Sequence, residues 1–265
     1  MPDPVTHTIG VPGATLTYDV RGDLGDRPVL LMIAAPMGAS GFPTLASQFA
    51  DRTVVTYDPR GVERSVRRGD LSELTPDDHA DDLIALIETL DAGPVDLFAS
   101  SGGAVNALAL TAKRPDLITT LVAHEPPLAA VVPDSETALA AVEDIYDTYQ
   151  RDGMGAGMAK FIAIVGYDGE IPDDYTQQPA PDPAMFGLPT EDDGSRDDAL
   201  LGQNIRGFTS YQPDFDALGK AKDRIVIAVG EESGNQLAAR AGRAAAARLD
   251  LEPVVFPSGH GGFLG

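Results

Sequence analysis

The chain has 265 residues, enough for one large α/β domain or a core with an insertion. It has no cysteine, which excludes disulfides, thiolate metal sites and cysteine nucleophiles. A formal net charge of -22 repels nucleic acid and anionic membranes, so neither is expected as a partner. The first residues, "MPDPVTHTIG", lack the charged and apolar stretches of a signal peptide, and no apolar run is long enough to span a bilayer. A cytoplasmic protein acting on a small molecule, with a homo-oligomer as an option, is the expectation. The acidic residues lack ligand spacing, so no metal site is predicted.

In chain order, "ATLTYDV" (Ala14 to Val20) alternates apolar and polar residues as a half-exposed strand does. "PVLLMI" (Pro28 to Ile33) is a continuous apolar run, the pattern of a strand covered on both faces. A short amphipathic helix, "FPTLASQFAD", and a β-branched strand, "RTVVTYD", follow. "TPDDHADDLIALIETLDAG" reads as a helix: Thr75 caps it, Pro76 suits its first turn, and Asp77 and Asp78 face the positive end of its dipole. Leu83, Ile84, Ile87 and Leu90 form its apolar stripe, and Gly93 and Pro94 end it. "PVDLFA" is the next strand, "GGAVNALALTAKRP" the next helix and "ITTLVAHE" the strand after that.

Such alternation means a mostly parallel, doubly wound α/β sheet with helices on both faces. It resumes with "DRIVIAVG" as strand, "GNQLAARAGRAAAARL" as helix and "EPVVFP" as strand. Residues 126–222 break the rhythm with two predicted helices, "SETALAAVEDIYDTYQ" and "GMAKFIAIVG", and a long loop rich in proline and acid. The expected organisation is a core of residues 1–125 and 223–265 with a mostly helical cap of residues 126–222. Met154, Met158, Phe161, Ile162, Phe208 and Tyr211 are candidates to line a pocket beneath the cap, and Gly153, Gly155 and Gly157 suggest a hinge or a loose loop.

Between the strand "PVDLFA" and its helix stands "ASSGG", in which only Ser101 satisfies the frame small-x-Ser-x-small. A nucleophile on a sharp strand-to-helix turn occupies a strained backbone, and its neighbours two before and two after must be small. Such turns also bind phosphate or serve as plain connections. The four histidines are His7, His79, His124 and His260. His79 sits on an acidic helix and is expected to be solvated, while His124 suits a core position at a strand end. His260 lies in a glycine-flanked loop at the carboxyl end of the same sheet, which makes it the candidate base.

"YDPRGVERS", "ASSGG" and "FPSGHGGF" together resemble the α/β-hydrolase fold family, over nearly the whole chain. The first is similar to the family's D-x-R-G-x-G-x-S run with Glu63 in place of glycine. The second is similar to its nucleophile elbow with Ala99 in place of the first glycine, and the third to its histidine loop. The resemblance implies a serine hydrolase in which Ser101 attacks a small ester or related acyl group and His260 moves the proton, with no cofactor. The family's usual acid position is occupied here by Ser233. By similarity to haloalkane dehalogenases, whose acid follows the strand after the nucleophile helix, Glu125 is the expected partner of His260, with Glu232 as runner-up. The oxyanion donors implied are the amides of Gly102 and of Ala35 in "IAAP", with Met37 as the alternative. The "IAAP" loop departs from the family's H-G-x-P, and the chain stops at Gly265, where the family carries a closing helix. Two further readings stay open: a cofactor-free non-hydrolytic enzyme such as a lyase or natural-product tailoring enzyme, and a non-catalytic ligand-binding protein.

Overall fold

A computed structural model describes residues 3–265 except 24, 26, 70 and 71. The chain runs β1 (Val5–Val11), β2 (Ala14–Arg21), β3 (Leu30–Ala35), α1 (Pro43–Ser47), β4 (Val54–Asp58), β5 (Val66–Arg67), α2 (Pro76–Leu90), β6 (Val95–Ser101), α3 (Gly102–Lys113) and β7 (Ile118–His124). It continues with α4 (Ser135–Asp152), α5 (Met154–Val165), α6 (Ile205–Ser210), α7 (Phe215–Lys220), β8 (Ile225–Gly230), α8 (Leu237–Arg248) and β9 (Val254–Phe256). Among the described residues the sheet has nine strands, in the order β1-β2-β4-β3-β6-β7-β8-β9, with β5 on β2. The pairs involving β1, β2 and β5 are antiparallel, and the rest of the sheet is parallel.

The parallel strands form where apolar runs supply residues for both faces. All six residues of β3 and all five of β4 are buried. α2 starts at a capping box: Asp78 N–H donates to Thr75 Oγ1 at 3.2 Å, and Thr75 N–H donates back to the Asp78 carboxylate at 2.9 Å. Its buried face carries Leu83, Leu86, Ile87 and Leu90. It also buries His79, which corrects the expectation of a solvated residue: His79 is 1% exposed and its Nε2 lies 2.7 Å from Asn204 Oδ1. Burial lowers the His79 pKa against the opposing pull of that bond.

Sequence patterning did not mark β1, β5, α6 or α7. β1 is an edge strand whose residues are mostly exposed; the alternation of Val5, Ile9 and Val11 with Thr6, Thr8 and Gly10 is the signal that could have found it. α6 and α7 are six residues each, too short for a helical period to declare itself. The helix expected over "FPTLASQFAD" is confined to Pro43–Ser47. Between β7 and β8 the described residues hold helices, 3-10 turns and irregular chain, with the proline-rich stretch after Ile171 largely irregular. α4 packs on α5 and α6, whereas α7 packs on α3. No helix among the described residues is long and apolar enough to cross a membrane.

The order of strands locates a crevice. The chain steps from β3 to β4 on one side, then returns to lay β6 on the other side of β3. Such a switch point opens a cleft at the carboxyl ends of the two strands. Here those ends are in register, Ala35 beside Ser101. α3 is packed so closely over β3 that a Cβ on Gly103 would lie 2.6 Å from Ala34 Cα. Gly103→Ala is expected to lower stability in urea denaturation by about 1–3 kcal/mol, the usual cost of overpacking. An unchanged midpoint would show that helix and strand can part without cost.

Candidate active site

Ser101 ends β6 and precedes α3, with φ 57° and ψ -130°. A side chain at positive φ costs about 1–3 kcal/mol and persists only where its surroundings dictate it. Those surroundings are the glycines that follow: a Cβ on Gly102 would stand 2.7 Å from the Ala35 carbonyl oxygen. Gly102 opens α3, so its N–H lacks an intrahelical acceptor and points from the positive end of the helix.

Glu125 follows β7 directly and also takes a positive φ, 48°. It is 1% exposed. One carboxylate oxygen accepts from Gly230 N–H at the end of β8, at 2.8 Å, and the other lies 2.5 Å from His260 Nδ1. Burial works against ionisation of Glu125, but the bonds from His260 and Gly230 N–H outweigh it and hold its pKa down to about 2. An ionised carboxylate can only accept, so Nδ1 carries the hydrogen and Nε2 is left as the basic nitrogen. Glu232 is exposed in the turn after β8. The carboxylate that holds His260 is therefore Glu125 and not the runner-up. β7 and β8 are adjacent parallel strands, which is why a residue leaving β7 reaches the loop after β9.

Ser101 and His260 line one cavity of about 330 Å³, together with Ala35 and Met37, the two alternatives for a second amide donor. No hydrogen bond joins the Ser101 hydroxyl to His260 among the described residues; such contacts commonly tighten only when substrate binds. Of the pocket candidates named from sequence, Phe161 and Phe208 line this cavity, whereas Met154, Met158, Ile162 and Tyr211 do not. Gly153 joins α4 to α5 at φ 88°, and Gly157 lies against Tyr149, so this stretch is a packed helix junction.

Two features escaped the sequence reading. Ser100, beside the strained serine, is 1% exposed and its hydroxyl lies 3.0 Å from Nδ1 of the buried His124. The His124 ring stacks on His260 with centroids 5.9 Å apart, and Phe98, Phe256 and Phe263 pack around it. Burial lowers the His124 pKa, so a neutral ring supports the face of His260. Two adjacent serines and a histidine at a strand end were the available signal, and the register of Ser100 beside His124 is what connects them.

The second feature is the role of "YDPRGVERS". Asp58 is fully buried; its carboxylate accepts from Ala39 N–H at 2.8 Å and from Arg64 Nε at 2.7 Å, and Arg64 reaches on to Asp19 at 3.1 Å. The motif thus ties the loop after β4 to the loop after β3 that carries Met37. Glu63 has φ 47°, which explains why glycine is usual there, and its carboxylate accepts from Ser40 Oγ at 2.6 Å.

The family described as alpha/beta hydrolase fold matches residues 27–164. The chain belongs to the alpha/beta hydrolase fold family. It is 29% identical over 264 residues to the uncharacterized hydrolase YraK of Bacillus subtilis, a match spanning 97% of this chain and 89% of the relative. It is 30% identical over 252 residues to the 2-(acetamidomethylene)succinate hydrolase of Mesorhizobium japonicum, spanning 91% of this chain and 84% of that one. Among solved structures, a thermophilic esterase from Thermogutta terrifontis aligns with a TM-score of 0.67 at 20% identity, covering 99% of this chain and 93% of that chain.

The depressed Glu125 pKa makes a prediction for stability. A carboxylate held at about 2, against the usual 4.5, binds fewer protons folded than unfolded. Its stabilisation is complete above pH 4.5 and is lost as pH falls toward 2. Glu125→Gln is expected to remove this part of the acid limb in pH-dependent urea melts. The same slope in both proteins would show that Glu125 is not held in its ionised form.

Proposed function

We propose that the protein is a serine hydrolase that cleaves a small ester or related acyl substrate through an acyl-enzyme. The observation that carries this reading is the strained Ser101 turn opening on the same cavity as a histidine oriented by a buried carboxylate.

In this mechanism Ser101 Oγ attacks the substrate carbonyl carbon while Nε2 of His260 takes the hydroxyl proton. The carbonyl π pair moves onto oxygen, and the Gly102 N–H receives that charge with a second donor from Ala35 or Met37. Collapse re-forms the carbonyl and breaks the bond to the leaving alkoxide, which leaves with the proton from His260 as an alcohol. Water then repeats the sequence on the acyl-serine, again through His260, and releases the acid. Glu125 remains ionised throughout. It fixes the His260 tautomer and stabilises the imidazolium that forms twice per cycle.

Residues 126–222 serve as the cap in this reading: Pro127, Val142, Phe161 and Leu200 line the same cavity as Ser101. The names of relatives point the same way at the level of reaction class, since they include an esterase and a hydrolase of a succinate derivative. The mechanism needs no cofactor.

A fluorophosphonate probe tests the proposal. The wild-type protein is expected to label stoichiometrically on the peptide containing Ser101. Ser101→Ala is expected to lose labelling and at least about 10⁴-fold in kcat on p-nitrophenyl esters. A variant that keeps more than a tenth of the activity would overturn the assignment of the nucleophile.

A further inference from the structure

The cavity next to Ser101 differs in chemistry from the surface around it. The chain carries a net charge of -22, yet among the described residues no Asp, Glu, Lys or Arg lines this cavity. The His260 imidazole is its one titratable side chain there. Its walls come from α4 and α5 through Val142, Ile145, Phe161 and Ile164, and from the following segment through Leu200 and Ile205.

The polar lining is equally restrictive. Ser100 is engaged with His124, and the Thr209 hydroxyl donates to the Ile205 carbonyl at 2.8 Å. Gln236 adds a neutral amide to the lining. Of the cations on the surrounding helices, Lys160 is paired with Asp144, Arg206 with Glu73 and Glu143, and Arg240 with Asp134. None of the three lines the cavity.

Resting on the serine-hydrolase reading above, we propose that this cavity selects an uncharged, apolar acyl group and rejects substrates that carry a carboxylate on that group. A carboxylate placed among Ile145, Ile164 and Ile205 would lose its hydration without meeting a cation, a cost that no side chain there offsets. The acidic surface opposes its approach as well, because it repels anions before they reach the cleft. The succinate-derived substrate for which the 30%-identical relative is named therefore does not suit this chain, despite the shared fold.

The test compares three esters that share a p-nitrophenol leaving group: p-nitrophenyl pentanoate, p-nitrophenyl methyl succinate and p-nitrophenyl hydrogen succinate. The second and third differ by a methyl cap on the distal carboxyl, hence by one charge. The expected kcat/KM for the anionic ester is at least about 100-fold below that of its capped form, with the pentanoate the best of the three. Val165 lines the cavity and is 40% exposed, so an arginine there can reach inward without being buried. Val165→Arg is expected to narrow the ratio at least tenfold. Comparable rates on the capped and anionic esters, with fluorophosphonate labelling of Ser101 intact, overturn the selectivity and leave the hydrolase reading standing. No labelling and no turnover of any of the three overturns both.

Discussion

The backbone at Ser101 is bent into a conformation that side chains rarely adopt, and much of the site follows from that bend. It is held because β3 and β6 run in register to Ala35 and Ser101, and because Gly102 and Gly103 let α3 start against the β3 backbone with no Cβ between them. A larger residue at either glycine would push helix and strand apart and relax the turn. The geometry places a hydroxyl and a free helix N–H at the same mouth, which is the pairing that acyl transfer requires. The strain is offset elsewhere, by a parallel sheet whose central strands are buried on both faces.

Around this turn, two polar networks hold what the turn does not. Glu125, itself at positive φ, bridges β8 and the histidine loop and thereby fixes which nitrogen of His260 is free. Asp58 and Arg64 anchor the loop after β3. Both networks bury carboxylates, and both satisfy them with N–H donors, the condition under which buried charge is tolerated. His124 extends the first network sideways through its stack on His260 and its bond to Ser100. The walls from α4, α5 and α6 contribute no charge, so Ser101 and His260 line an apolar enclosure where hydrogen bonds act more strongly than in water.

Much of this was legible in the residues themselves. The alternation from β2 to β7 and from β8 to β9 announced a parallel sheet, and the steric frame around Ser101 singled it out from its neighbour Ser100. His260 was marked by its glycine-flanked loop at the end of the last strand. Glu125 was legible only through a resemblance, because nothing local distinguishes it from Glu232; the pairing of β7 with β8 makes the distinction. His79 reads as surface because acidic residues flank it, yet Asn204, 125 positions later, receives its bond in the interior. The Ser100–His124 contact and the cavity walls from Leu200 and Ile205 also depend on chain crossings that no local period encodes.

The most direct measurement is a crystal structure of the protein after reaction with a fluorophosphonate. The account predicts a covalent bond from Ser101 Oγ to phosphorus and a phosphoryl oxygen about 2.7–3.1 Å from the Gly102 amide nitrogen. It also predicts His260 Nε2 within hydrogen-bonding reach of the adduct, with its Nδ1 still on Glu125. An adduct on another residue, or a His260 turned away from both Ser101 and Glu125, would contradict it.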